Sequence, residues 1–343
     1  MHENKVILFG APKAYNVSDE IKRNLEYLGF RVVDVSFPQE FKYKNRYQKI
    51  YNFLRKTFLS DTDYKKSLRF APYRDEFEKA IESLEEKADY SLFVRADSFP
   101  KSFVKKVVNN AHHNCAYQWD GIALFPEIKK YKNLFDRFYV FDPYDVDPSK
   151  GQLPTTNFYF DYNLQAPDNY NERSVYFLGS YFPHRIDPIK QILKEVKKAG
   201  FTPQIHLLSR NRQVAPEHKN CGAIFLSEPI GFNENLERMK NAGVLVDFVN
   251  GRHGGLSFRT FEAIGHNKKL ITNNPQVVNY DFYHPDNFFV CAELNFEGLA
   301  EFLNRPYRPL SKELKDKYSF SNWINYILSI APYQPISLPV KTS

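Results

Sequence analysis

The stretch Asn250-Gly-Arg-His-Gly-Gly-Leu-Ser-Phe-Arg-Thr-Phe-Glu-Ala-Ile-Gly265 concentrates residues able to do chemistry. An apolar run ends at Val249, a glycine-rich turn follows, and helical spacing begins near Ser257. Gly254 and Gly255 let a backbone approach a ligand closely, and the unpaired N–H groups of a first helical turn face it. That positive helix end suits a phosphate or diphosphate, and Arg259 can add charge-assisted hydrogen bonds. His253, beside the glycines, is placed to touch the same ligand. Glu262, three residues after Arg259 on one helix face, can accept both hydroxyls of a ribose. The same spacing also allows a plain intrahelical ion pair worth about 0.2–0.5 kcal/mol.

A second group lies earlier. Phe177-Leu-Gly-Ser180 reads as the end of a strand, with His184 and Arg185 shortly after. The small pair Gly179-Ser180 leaves room for a phosphate, and Arg185 can neutralise a leaving diphosphate; a surface arginine with no ligand is the plainer alternative. For a general base the first half of the chain offers Asp97, after Leu92-Phe-Val-Arg95, and Asp120, after Ala116-Tyr-Gln-Trp119. Asp120 before Gly121 also reads as a turn residue. His112 and His113 are expected at a helix end, as partners of its dipole. Asp61-Thr-Asp63 and Asp145-Val-Asp147 spell a DxD pattern able to hold a divalent ion on a diphosphate, but so short a pattern is common by chance, and no metal is expected.

These groups need strand ends to hold them. Lys5–Pro12 is a short buried strand, residues 16–28 have helical spacing closed by Gly29, and Phe30–Ser36 is a second strand. Strand, helix and strand within about 30 residues make a parallel unit with a right-handed crossover. Residues 44–87 are helical in composition, followed by strands at 90–95, 114–119 and 138–141 and a helix at 100–111. Residues 148–172, with several Pro, Asn and Gln and little periodicity, are the expected linker. The alternation then restarts: strand 175–178, helix 186–199 closed by Gly200, strand 204–208, helix 233–241, strand 244–249, helix 257–264 closed by Gly265, strand 269–272, and tail helices near 296–304 and 320–330. The expected class is α/β, two Rossmann-like domains facing across a cleft, with ligands beyond the carboxyl ends of the strands. The expected boundaries are 1–165, 166–317 and a tail, 318–343, packing back on the first domain.

The chain has 343 residues, enough for two cores, with 31 Phe and 23 Tyr arguing against disorder. No apolar run approaches the roughly 18 residues of a membrane span, and the first residues lack a secretory pattern, so a cytoplasmic protein is expected. Cys115, Cys221 and Cys291 have no metal-ligand spacing and read as reduced, mostly buried thiols. Net charge is +7, enough to favour anionic partners. The excess is concentrated between Lys42 and Arg74, where ten Lys/Arg face only Asp61 and Asp63 and alternate with Tyr and Phe. Such a basic-aromatic segment lies on an anionic membrane or receives an anionic acceptor; the solvated face of a long helix is an equal reading. No helix-turn-helix, RRM, KH or zinc pattern is present, so nucleic acid is not expected.

Gly255-Leu-Ser-Phe-Arg-Thr-Phe-Glu-Ala-Ile-Gly-His-Asn-Lys-Lys-Leu-Ile-Thr-Asn-Asn274 resembles the donor-binding segment of GT-B glycosyltransferases, closest to bacterial enzymes that build capsule, exopolysaccharide and lipooligosaccharide. Tyr117-Gln-Trp-Asp-Gly121, Phe138–Asp142 with Pro143 and Asp145, and Phe177-Leu-Gly-Ser180 with Arg185 stand in the order of that group. The resemblance implies a metal-independent transferase moving a sugar from a nucleotide-sugar donor to a growing surface glycan or lipid-linked glycan. It would work in the cytoplasm at the inner face of the plasma membrane. Donor binding falls to Gly179, Ser180, Arg185, His253, Gly254, Gly255, Ser257, Arg259 and Glu262, and catalysis to Asp120 and Asp97. One departure stands out: retaining relatives often carry a Glu eight residues before the nucleotide Glu, where this chain has Gly254, so inversion or retention stays open. The alternatives are a nucleotide-sugar epimerase or hydrolase on the same scaffold, and a non-catalytic basic scaffold or nucleic-acid-binding module.

Overall fold

The computed structural model describes residues 2–13, 16–59, 61–162, 164–165, 167, 169–210, 213–249 and 254–339. The chain divides into two compact units: Met1–Thr155 with Ile324–Pro332, and Thr156–Trp323 with Tyr333–Ser343.

The first unit runs β1 (Val6–Gly10), β2 (Pro12–Lys13), α1 (Val17–Tyr27), β3 (Arg31–Asp34), β4 (Phe37–Pro38), α2 (Arg46–Leu59), α3 (Asp63–Glu82), β5 (Ala88–Val94), α4 (Lys101–Asn109), β6 (Ala111–Gln118), β7 (Arg137–Val140) and β8 (Gln152–Pro154). Six strands form one parallel sheet in the order β3-β1-β5-β6-β7-β8, and β2 pairs with β4. The apolar runs that suggested strands are buried on both faces, as parallel strands under helices must be. One core layer is aromatic: Phe70 and Phe77 of α3 meet Phe99 and Phe103.

The second unit repeats the plan with β9 (Asn171–Ser180), α5 (Ile186–Lys198), β10 (Thr202–Leu208), β11 (Ile224–Leu226), α6 (Phe232–Asn241), β12 (Ala242–Asp247), α7 (Phe258–Gly265), β13 (Lys269–Thr272), β14 (Phe288–Val290), α8 (Leu299–Asn304) and α9 (Lys312–Lys317). Its sheet is again parallel and six-stranded, ordered β11-β10-β9-β12-β13-β14. The last helix, α10 (Phe320–Leu328), is shared: it belongs to the second unit up to Trp323 and to the first from Ile324.

Three details depart from the sequence reading. The expected linker contains β8, and its residues from Thr155 to Phe160 are buried. The rings of Phe158 and Phe160 pack on Phe320, so aromatic burial overrides the Pro/Asn composition there. His112 and His113 lie in β6 rather than at a helix end, because α4 stops at Asn109. Gly29 and Gly200 follow their helices with positive φ, as a helix stop requires, but Gly265 lies inside α7. It is glycine for packing: a Cβ there would stand 2.4 Å from the Tyr159 ring. The segment 44–87 is helical as its composition suggested, in two helices of which α3 carries the buried residues and α2 carries none.

Candidate functional site

In the second unit the strand order reverses between β9 and β12, the topological switch point where open parallel sheets bind ligands beyond the strand ends. Gly179 and Ser180 end β9 there, beside Leu207 and Leu208 of β10. Ser180 is exposed. Gly179 has a packing reason of its own, since a Cβ would fall 2.5 Å from Phe177 Cζ. Arg185, at the start of α5, lies half-buried over the Phe182 ring and donates from Nη2 to the Phe248 carbonyl at 3.2 Å. Burial pulls its pKa down from the usual guanidinium value, against the opposing pull of Asp247. Ser257 is the N-cap residue of α7, but its hydroxyl donates to Asp247 Oδ2 at 2.8 Å instead of capping the helix. The ends of β9 and β12 and the starts of α5 and α7 thus meet through Arg185, Asp247 and Ser257.

The next turn of α7 faces inward. Arg259 Nη1 lies 2.9 Å from Glu262 Oε2, and both side chains are largely buried. Arg259 also covers the Tyr176 ring and donates to Asn235 Oδ1 at 3.3 Å. The intrahelical pair left open by the sequence spacing is therefore formed, between the sheet and α6. Gly254 and Gly255 are buried, and the Gly255 carbonyl accepts from Asn274 Nδ2 at 3.3 Å. His253 lies outside the described residues.

The first unit has its own switch point, between β1 and β5. Arg95 follows β5 directly in the left-handed region, φ 56° and ψ 57°, a conformation that costs a non-glycine residue on the order of 1–3 kcal/mol. Its Nε and Nη2 donate to the two carboxylate oxygens of Asp97, each at 2.9 Å, and its Nη1 donates to Asp120 Oδ2. The guanidinium stacks 3.5 Å from the Phe125 ring centroid. The two candidate bases, 23 positions apart, are therefore held by one cation. They differ in access: the Asp97 side chain is 6% exposed and Asp120 32%. After Gly121 the backbone is tied back by the Asp145 carboxylate, which accepts from Ile122 N at 2.7 Å.

Both DxD runs have structural work. Asp61 pairs with Arg55 and accepts from the Asp63 and Tyr64 amides at the start of α3. Asp147 pairs with Lys150, whose hydrogen bond holds its carboxyl at about 2. Among the described residues no three His, Cys, Asp or Glu group to hold a metal. Sequence reasoning missed Arg95 and Asp247. The one signal either carries in the sequence is a polar residue set directly after apolar ones, in Leu92-Phe-Val-Arg95 and Val244-Leu-Val-Asp247.

No family model matches this chain, and no curated protein is similar to it in sequence. Solved structures are similar in fold. A trehalose-6-phosphate synthase, studied for glycosyl transfer with retention, is 9% identical over 96% of this chain and 100% of its own, with a TM-score of 0.50. A UDP-N-acetylglucosamine 2-epimerase is 11% identical over 98% and 100%, TM-score 0.48. UGT2 of Phytolacca americana, complexed with UDP-2fluoro-glucose and pterostilbene, is 7% identical over 93% and 95%, TM-score 0.46. The chain has the GT-B fold, built from two Rossmann-like α/β units.

Proposed function

We propose that this protein is a glycosyltransferase that takes a nucleotide-sugar donor and extends a bacterial surface glycan or lipid-linked glycan. The observation that carries the reading is the convergence of Arg185, Ser257 and the start of α7 on one switch point. A departing nucleoside diphosphate develops negative charge, and preoriented N–H groups with a nearby guanidinium stabilise it without reorganising. Gly179, Ser180, Gly254 and Gly255 let the donor approach, and His253 contributes a further contact. Glu262 serves the ribose hydroxyls by exchanging Arg259 for them; Arg259 then faces the donor.

At the first unit's edge, Asp120 takes the proton of the acceptor hydroxyl. Its greater exposure supports that choice over Asp97, whose two oxygens are both engaged by Arg95. Asp97 then acts through Arg95, as a positioning residue. The helix end and Arg185 carry the leaving-group charge, so no metal step is included.

The test is thermal shift with UDP-, GDP-, CMP- and TDP-sugars. A ligand bound only by the native state, at 100 times its Kd, stabilises by about 2.7 kcal/mol. One nucleotide class should raise the melting temperature. Glu262→Ala should fold, since the pair it breaks is one helical turn, and should lose that shift. No response to any donor would overturn the proposal, and donor consumed without acceptor would favour an epimerase or hydrolase.

A further inference from the structure

Helix α2 has 14 residues and buries none of them. Tyr47, Ile50, Leu54 and Phe58, spaced three, four and four apart, share one face of it and are 83%, 56%, 43% and 75% exposed. A helix that leaves its apolar face in water gains nothing from folding that way unless something covers it. One flank of that face is fastened: Tyr51, one turn after Tyr47, packs edge-on to Tyr64 of α3 at 5.1 Å, and Arg55 pairs with Asp61. The stripe is therefore held outward by α3, whose own Phe70, Phe77 and Ile81 are buried.

Charge identifies the cover. From Phe41 to Ser60 the sequence carries Lys42, Lys44, Arg46, Lys49, Arg55 and Lys56 and not one carboxylate. A second copy seated by twofold symmetry would set this basic segment against itself. A nucleic acid would satisfy the cations but leave the aliphatic stripe wet. The surface of an anionic bilayer satisfies both, taking apolar side chains between its headgroups and cations at its phosphates.

We infer that α2 is a docking helix for an anionic lipid surface, with Tyr47, Ile50, Leu54 and Phe58 entering the headgroup layer and the cations that precede and open the helix, Lys42, Lys44 and Arg46, at its phosphates. The helix belongs to the first unit and the donor edge to the second, so the inference stands or falls without the transferase reading. The sequence expectation covering residues 42–74 narrows to this one helix.

The experiment is flotation of the full-length protein with phosphatidylcholine vesicles, with and without phosphatidylglycerol. Binding is expected only with phosphatidylglycerol and should fall as salt is raised. Ile50→Ser/Leu54→Ser/Phe58→Ser and Lys44→Glu/Arg46→Glu should each weaken it by roughly tenfold or more. Both variants change exposed side chains, so an unchanged melting temperature certifies the fold. Equal binding to both vesicles, or to neither, would overturn the inference. A dimer in light scattering that the serine variant dissolves would assign the face to a second copy. A gel shift with RNA or DNA that the glutamate variant abolishes and the serine variant keeps would assign it to nucleic acid.

Discussion

The two sheets share a plan and differ in what their switch points present. Both are six-stranded and parallel, with the first strand flanked by the second on one side and a later strand, β5 or β12, on the other. Beyond β5 the first unit gathers carboxylates, Asp97 and Asp120, around one arginine. Beyond β9 and β12 the second gathers an arginine, a serine and a helix N-terminus around one carboxylate, Asp247. In the proposed function the same backbone topology makes one edge the proton acceptor and the other the anion site. The loops decide the chemistry.

Exchanging the roles is the sharpest way to break that contrast. Asp120→Asn should lower kcat by about 10²–10⁴, the usual contribution of a general base, and leave donor affinity unchanged. Steady-state kinetics with varied donor and a thermal-shift titration separate the two effects. Asp97→Asn should cost less, because it loosens Arg95 without removing the proton acceptor. If Asp97→Asn costs more, the two carboxylates have exchanged functions; if Asp120→Asn weakens donor binding instead, the first edge is not an acid–base edge.

The second edge should fail differently. Arg185→Ala removes a charge-assisted contact, which is worth about 1.5–3 kcal/mol, so donor affinity should fall by roughly ten- to a hundredfold. A drop in melting temperature with unchanged affinity would make Arg185 a brace for the Phe248 carbonyl and nothing more.

What the sequence made legible was decided by local physics. Apolar runs such as Lys5–Pro12 and Val175–Leu178 announced strands because parallel strands are buried on both faces. The short β11 and β14 stayed hidden, since three residues at the ends of a sheet owe their state to a neighbour and not to their own pattern. Glycine was read as punctuation, which serves for Gly200 but not for Gly265, where the Tyr159 ring takes the place of a Cβ. At the site, Arg185 and Ser257 announced themselves by type and position, and the structure joins them through Asp247. The Arg95 bridge had no such signal: its geometry depends on a left-handed backbone and on a carboxylate from the next strand's end.

The layers beneath the two edges also differ, and acid should expose it. Under the first edge the core is aromatic. In the second, α7 itself carries buried Arg259 and Glu262 and ends at His266, whose Nε2 has no hydrogen-bond partner. Burial, aided by Lys240, Lys268 and Lys315, pulls the His266 pKa down to about 3 from 6.5. Folded His266 is therefore neutral between those values while the unfolded chain binds the proton. The unfolded state gains, so stability must decline as pH falls through that window, by up to about 1.4 kcal/mol per pH unit for a single group. His206, whose pKa burial also lowers, adds in the same direction. His266→Phe should flatten the acid limb of a urea-denaturation series measured from pH 7 to 4. The carboxylates, common to both proteins, cancel in the difference. Hydrogen exchange at mildly acid pH should show the second unit losing protection first, and parallel slopes for wild type and variant would place the acid sensitivity elsewhere.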